Sequence, residues 1–251
     1  MINKQLDTLF KRWEKAALND GHTDFCKDGL IVQESNYQDV WNKSERRVVF
    51  ILKEFLTDKQ TDLRQIILKN RAEELTDKLS GNRMAAWLYG LYHTNNDGYP
   101  SVEKAFDAKT QQDTIHNIPF SIVGINKQAQ SENLSNADIY QYAERYKQYL
   151  KEELAILNSN VCVCCGEVVF KILKNIIFPH SPFIKVNEWV YYERYTQTII
   201  INSYLPNSTK SNKELYNTMM EKLIEGLRIP TAELGSLDTY VTSDFWMNYN
   251  F

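Results

Sequence analysis

Several common signatures are missing from this sequence, and each absence removes a class of protein. No run of roughly 18 apolar residues occurs, which is what a membrane-spanning helix would need. Met1-Ile2-Asn3-Lys4-Gln5 leads into a polar amphipathic stretch and not into an apolar leader, so the expectation is a cytoplasmic protein with no membrane partner. Cysteine is sparse: Cys26, Cys162, Cys164 and Cys165, three of them crowded together, do not form a secreted disulfide framework. Cys162 and Cys165 are spaced C-x-x-C, but zinc needs four ligands and neither a second pair nor a histidine cluster accompanies them. They read as small buried hydrophobes, and no metal is expected. His22, His93, His116 and His180 are scattered through polar turns without ligand spacing and read as surface residues. There is no P-loop, no G-x-G-x-x-G and no G-x-S-x-G, which leaves nucleotide hydrolysis, Rossmann cofactors and serine-hydrolase chemistry without local support. No cofactor is expected. Nor is there an excess of basic charge: 29 basic against 32 acidic residues give a net charge of −3. Proteins that live by gripping phosphate backbones are usually basic, so this balance disfavours a constitutive DNA binder while allowing a local basic cleft.

What is present describes an ordinary globular chain. With 251 residues, 43% hydrophobic and 24% charged, it can bury roughly 70–75% of its unfolded surface and needs no covalent staple. With no repeat, low-complexity tract or composition break, residues 1–251 read as one domain with an N-terminal helix and an aromatic C-terminal tail. Residues 5–18 carry Leu6, Leu9, Phe10, Trp13 and Ala17 at helical spacing. Residues 30–32 are a short strand or an irregular packing segment. Val48–Leu52 is an unbroken apolar run between charged flanks, the pattern of a strand buried on both faces of a parallel sheet. Similar runs occur at residues 120–125, 161–166 and 198–202. Helical patterns occupy residues 62–79, 84–92, 136–157, 168–177 and 213–227. Trp87, Tyr89 and Tyr92 fall on one of these helices and read as core. Strands alternating with helices predict an α/β fold: three layers, with a central, mostly parallel, four-stranded sheet. The tail aromatics Tyr240, Phe245, Trp246, Tyr249 and Phe251 are expected to pack back on the body.

In such sheets ligands bind beyond the carboxyl ends of the strands. That rule selects Lys53-Glu54, Asn126-Lys127, Gly166-Glu167 and the loop 204–210. Glu54 suits electrostatic support of a sugar cation and orientation of water; otherwise it pairs with Lys53 or Arg47, or caps a following helix. Asn126 has an amide that both donates and accepts, as discrimination of a base edge requires, and could equally close a turn. Lys127 reads as a solvated charge. The hydroxyl-rich stretch 203–211 could seat a phosphate, and Ser211 followed by Glu214 fits a helix capping box.

The order of these elements resembles the uracil-DNA glycosylase superfamily: an apolar strand into an acidic loop, a strand ending in Asn, a strand ending in Cys-Gly, and a last strand entering a Pro-Ser loop. Residues from about 48 to 227 follow that plan, and the run into Leu52-Lys53-Glu54 is similar to divergent bacterial members. The resemblance implies a water-activating role for Glu54, with Lys53 where the family often has Gly, and a base-reading role for Asn126. The family's His-Pro-Ser corresponds to Leu205-Pro206-Asn207-Ser208, with Leu205 in place of His. His180-Ser181-Pro182 has another order and receives no role. The expectation is therefore a DNA glycosylase-like hydrolase: Glu54 catalytic; Lys53, Asn126, Leu205 and Asn207 against the base; Ser208 and Lys210 against phosphate. DNA is the expected partner and the chain is expected to be a monomer. The alternatives are a non-catalytic nucleic-acid or nucleotide-binding module and a free-nucleoside hydrolase.

Overall fold

The structure is a computed structural model and describes residues 2–32, 37–55, 57, 59–70, 81–129 and 133–228. Three of the four strands read from apolar runs are buried along their whole length and lie side by side. They are β2 (Val48–Leu52), β3 (Phe120–Gly124) and β4 (Val161–Cys165), and every residue in them is buried. With β7 (Thr198–Ser203) they form four adjacent parallel strands in the order β3-β2-β4-β7. Burial on both faces is what a parallel strand between two helical layers demands, so continuous Val, Ile, Phe and Cys runs are the expected code.

The sheet is larger than four strands. Three antiparallel strands complete it at the edges: β1 (Gly29–Ile31) against β3, then β6 (Val190–Glu193) against β7 and β5 (Phe183–Lys185) against β6. The result is a seven-stranded mixed sheet in the order β1-β3-β2-β4-β7-β6-β5. The short segment near Leu30 is therefore a strand, held by Leu30 opposite Ser121.

Helices cover both faces. On one side α1 (Ile2–Asn19) and α7 (Asn136–Leu157) pack on the face that carries Val49 and Ile51. The buried stripe of α1 is Leu6, Leu9, Phe10, Trp13 and Ala17, as the spacing predicted. The same layer receives α2 (Tyr37–Lys43), whose Trp41 donates its indole N–H to the Leu157 carbonyl, 2.7 Å. On the other side Val48 and Phe50 meet α3 (Leu63–Asn70), α4 (Gly81–His93), α5 (Val102–Ala105), α6 (Ala108–Asn117) and α9 (Asn212–Leu227). Trp87 is fully buried there, and Tyr89 and Tyr92 are half-buried. Between β4 and β5 the chain forms α8 (Glu167–Ile172), which widens into a π-helical turn at Leu173–Ile177.

The helix expected at residues 62–79 is seen as α3; its later part lies outside the described residues, as does the aromatic tail. All four cysteines are free and buried, and burial raises the thiols of Cys26 (to about 11), Cys162 (to about 12), Cys164 and Cys165. The described residues contain no metal-binding cluster of His, Cys, Asp or Glu. No helix among them is long and apolar enough to cross a membrane.

Candidate functional site: two cavities beyond the strand ends

The β2–β3 ladder continues past the strands. Ile125 N–H bonds to Leu52 O (2.9 Å) and Asn126 N–H to Lys53 O (3.0 Å), so Lys53 and Asn126 leave the sheet side by side. A side chain at Gly124 would sit 2.3 Å from the Phe55 ring, so glycine is what lets the turn after β2 close over β3. Both functional groups of this corner are oriented by backbone. Glu54 Oε2 accepts the Leu134 N–H at 3.0 Å, and Lys53 Nζ donates to the Leu134 carbonyl at 2.7 Å. Lys53 Nζ also lies 3.2 Å from Glu54 Oε1, which is buried and receives no hydrogen bond. The ion pair is thus close but poorly aligned. Arg47 is not the partner of Glu54: its guanidinium and amide serve Asn158 and Asn160 at the opposite end of β2.

Asn126 is 1% exposed, and its Oδ1 accepts the Gln128 N–H at 2.9 Å. That bond assigns Oδ1 as an acceptor and leaves Nδ2 as the donor end of the amide. Asn126 and Gln128 form one wall of a cavity of about 570 Å³ between the turn after α1 and the first half of α7. Tyr142 and Tyr146 from α7, their rings 4.5 Å apart, and His22 make its aromatic side. Gln128 Nε2 donates to the Tyr142 hydroxyl at 3.3 Å. Burial, mainly, raises the Tyr142 phenol, so it stays a neutral hydrogen-bonding group. At the rim Asp20 accepts two bonds from Arg145 and one from Tyr146 (2.6–2.9 Å), which hold its carboxyl down at about 2. Helical geometry breaks within α7 at Tyr146, the residue that reaches across to Asp20. Glu54 lines neither cavity; its link to this one runs through Leu134.

Lys127 corrects the expectation of a solvated charge. It is completely buried, with Nζ 2.6 and 2.5 Å from the two Asp28 oxygens and 2.8 Å from Glu153 Oε2. Asp28 also accepts the Gly124 N–H at 2.7 Å, and the lysine ammonium lies 5.4 Å from the Phe10 ring centre and 5.3 Å from that of Trp13. Burial, and then the Asp28 charge, push the Glu153 carboxyl well above the ordinary carboxylate range. Two carboxyl groups against one ammonium would leave a net charge in a dry interior, and the upward shift at Glu153 works in the direction that removes it. This triad stands directly behind the Asn126 and Gln128 wall.

The other predicted residues belong to a different place. Leu205 and Ser208 line a second cavity of about 430 Å³ beyond β4 and β7, and the two linings share no residue. Gly166, at φ +108°, turns the chain there, and a side chain on it would press Leu205 at 3.3 Å. Lys210 pairs with Glu214 (2.8 Å) and lies 4.7 Å over the Tyr204 ring. Asn207 is exposed and outside the cavity lining. Ser211 caps α9 by accepting the Glu214 N–H at 3.0 Å, as the capping-box pattern predicted. The loop is clamped by a residue that the sequence did not single out. Arg83 of α4 donates to the carbonyls of Pro206, Ser208 and Lys210 and to Asn212 Oδ1, at 2.8–3.0 Å.

Fold and site together define an α/β protein with a mixed sheet and two polar-aromatic cavities beyond the carboxyl ends of its parallel strands. No protein-family model matches the sequence, and no curated protein matches it.

Proposed function

We propose that the chain takes a nucleobase into the Asn126 cavity and hydrolyses its N-glycosidic bond in DNA, as a glycosylase does. The supporting observation is the corner at the exits of β2 and β3. There Glu54 holds one carboxylate oxygen buried without a hydrogen-bond donor, and it follows Lys53, whose carbonyl accepts the N–H of the cavity residue Asn126. Lys53 at 3.2 Å offsets the charge on that oxygen, and a small shift of the corner would open its lone pairs to a water. A carboxylate near a forming oxocarbenium ion both stabilises that cation and orients the attacking water. Asn126 Nδ2 would donate to a base carbonyl, and Tyr142 and His22 would contact the flat ring. Loss of Glu54 as a base is expected to cost about 10²–10⁴ in rate.

A second reading is a binding module without turnover. It is favoured by the bonds that tie Lys53 and Glu54 to Leu134, which give this pair a positioning role of its own. A panel of oligonucleotides carrying deaminated and alkylated bases separates the two. Abasic sites that disappear with Glu54→Gln support hydrolysis. Base binding that is lost in Asn126→Ala, without cleavage, supports the module. The absence of cleavage and of binding together sinks both readings.

A further inference from the structure

The second cavity has a chemistry of its own. Its floor is the end of the β4–β7 ladder, where Cys165 stands opposite Ser203. Ser203 is 4% exposed and lines the cavity, yet its hydroxyl has no hydrogen-bond partner. A buried hydroxyl left so carries an unrelieved desolvation cost, which rotation of the hydroxyl towards a ligand group in the cavity would remove. Asn202 adds an amide beside it. Ser208 accepts the Lys210 N–H at 3.2 Å, so its own proton is available to donate. One wall is aromatic: Trp189 and Tyr204 have ring centroids 5.6 Å apart at 54°, and Tyr204 is 42% exposed. Leu205, 43% exposed, continues this apolar surface over Gly166.

The charges around the rim are already matched. Glu167 pairs with Lys171 (2.7 Å), Glu188 with Lys222 (3.1 Å) and Lys210 with Glu214 (2.8 Å). A charged ligand would have to break one of these pairs to gain a counterion, whereas a neutral one leaves them intact. We propose that this cavity binds a neutral ring bearing hydroxyl groups, the chemistry shared by a pyranose sugar and by the ribose of a nucleoside. The C–H face of such a ring packs on Trp189, Tyr204 and Leu205. Its hydroxyls, each both donor and acceptor, meet Ser203, Asn202 and Ser208. The volume of about 430 Å³ lies within the range of small-molecule sites. The four Arg83 bonds hold the loop that forms one wall, so little ordering is left for the ligand to drive.

The inference stands apart from the glycosylase reading, because the two cavities share no lining residue. Saturation-transfer NMR and calorimetry on the full chain test it, with methyl α-glucopyranoside, maltose, uridine and uridine 5′-monophosphate as probes. A neutral probe is expected to bind, with affinity at least tenfold weaker in Trp189→Ala and in Ser203→Ala than in the unsubstituted protein. A preference for the glucosides or for uridine names the source of the ring. Absence of transfer from every neutral probe overturns the proposal. So does tighter binding of the monophosphate than of uridine, or undiminished binding in the Ser203→Ala protein, whose small substitution preserves the fold.

Discussion

Replacing Lys127 by methionine tests whether the buried triad is an electrostatic unit. Methionine keeps an unbranched side chain but removes the ammonium that faces the Phe10 and Trp13 rings and neutralises Asp28, which is itself 0% exposed. Breaking a buried pair by deleting one partner costs about 3–5 kcal/mol, because a charge remains without compensation. In a domain of this size each kcal/mol is worth about 2–4 °C in Tm, so melting should fall by roughly 6–20 °C. Glu153→Gln is the control. The upward shift at Glu153 favours its protonated form, so a neutral amide of the same shape should cost clearly less than loss of the ammonium. Combining Lys127→Met with Asp28→Asn removes both charges and should recover much of the loss, because the amide carbonyl introduced at position 28 can still accept the Gly124 N–H.

The same residue sets the sign of the pH dependence. A carboxyl whose folded value is raised stabilises fully at and below its ordinary value of 4.5, and that contribution is lost as pH rises towards the folded value. Across that window the folded state binds more protons than the unfolded one, so the slope of stability with pH is negative. Glu153→Gln has no such proton to lose. Its stability relative to the unsubstituted protein should therefore improve steadily as pH rises from 4.5. Guanidinium unfolding at a series of pH values, with thermal melts beside it, measures both effects. Equal losses for Lys127→Met and Glu153→Gln, or a difference between Glu153→Gln and the parent that does not vary with pH, would refute the argument.

Two smaller perturbations address the loops. Arg83→Met removes four bonds to the segment from Pro206 to Asn212, and is expected to cost about 1–2 kcal/mol and to speed tryptic cleavage at Lys210; Arg83→Lys, with one compact ammonium in place of a fork, should restore only part of the protection. Gly124→Ala drives a methyl into the Phe55 ring and is expected to cost about 1–3 kcal/mol, read as a shifted denaturation midpoint with an unchanged slope.

What could be read in the sequence follows from how far apart the cooperating residues lie. β2, β3 and β4 were legible because a strand buried on both faces must be apolar at every position, which Val48–Leu52 displays without reference to the rest of the chain. The edge strands were harder: Phe183–Lys185 is half-exposed to exposed and three residues long, and it pairs with another short antiparallel strand. Helices α5 and α6 have little apolar stripe to show, and their available signals were the caps Ser101 and Asp107. The strand-exit rule selected Lys53, Glu54 and Asn126 together, and they are neighbours because that adjacency is a property of the parallel ladder itself. It could not separate them from Leu205 and Ser208, because the walls between the two cavities are built by side-chain choices elsewhere: the hold of Glu54 on Leu134 and of Arg83 on the 206–212 loop. Lys127 shows the same limit most sharply. A lysine after a strand looks solvated until Asp28, 99 positions earlier, and Glu153, 26 later, are brought against it. Placing a charge there is costly, and the residues on either side of it, Asn126 and Gln128, both line the larger cavity. An apolar residue at position 127 would have made a drier and cheaper core. The triad instead ties the β3 exit to the residue before β1 and to α7, which lines that cavity, and so holds the wall on which recognition at Asn126 would depend.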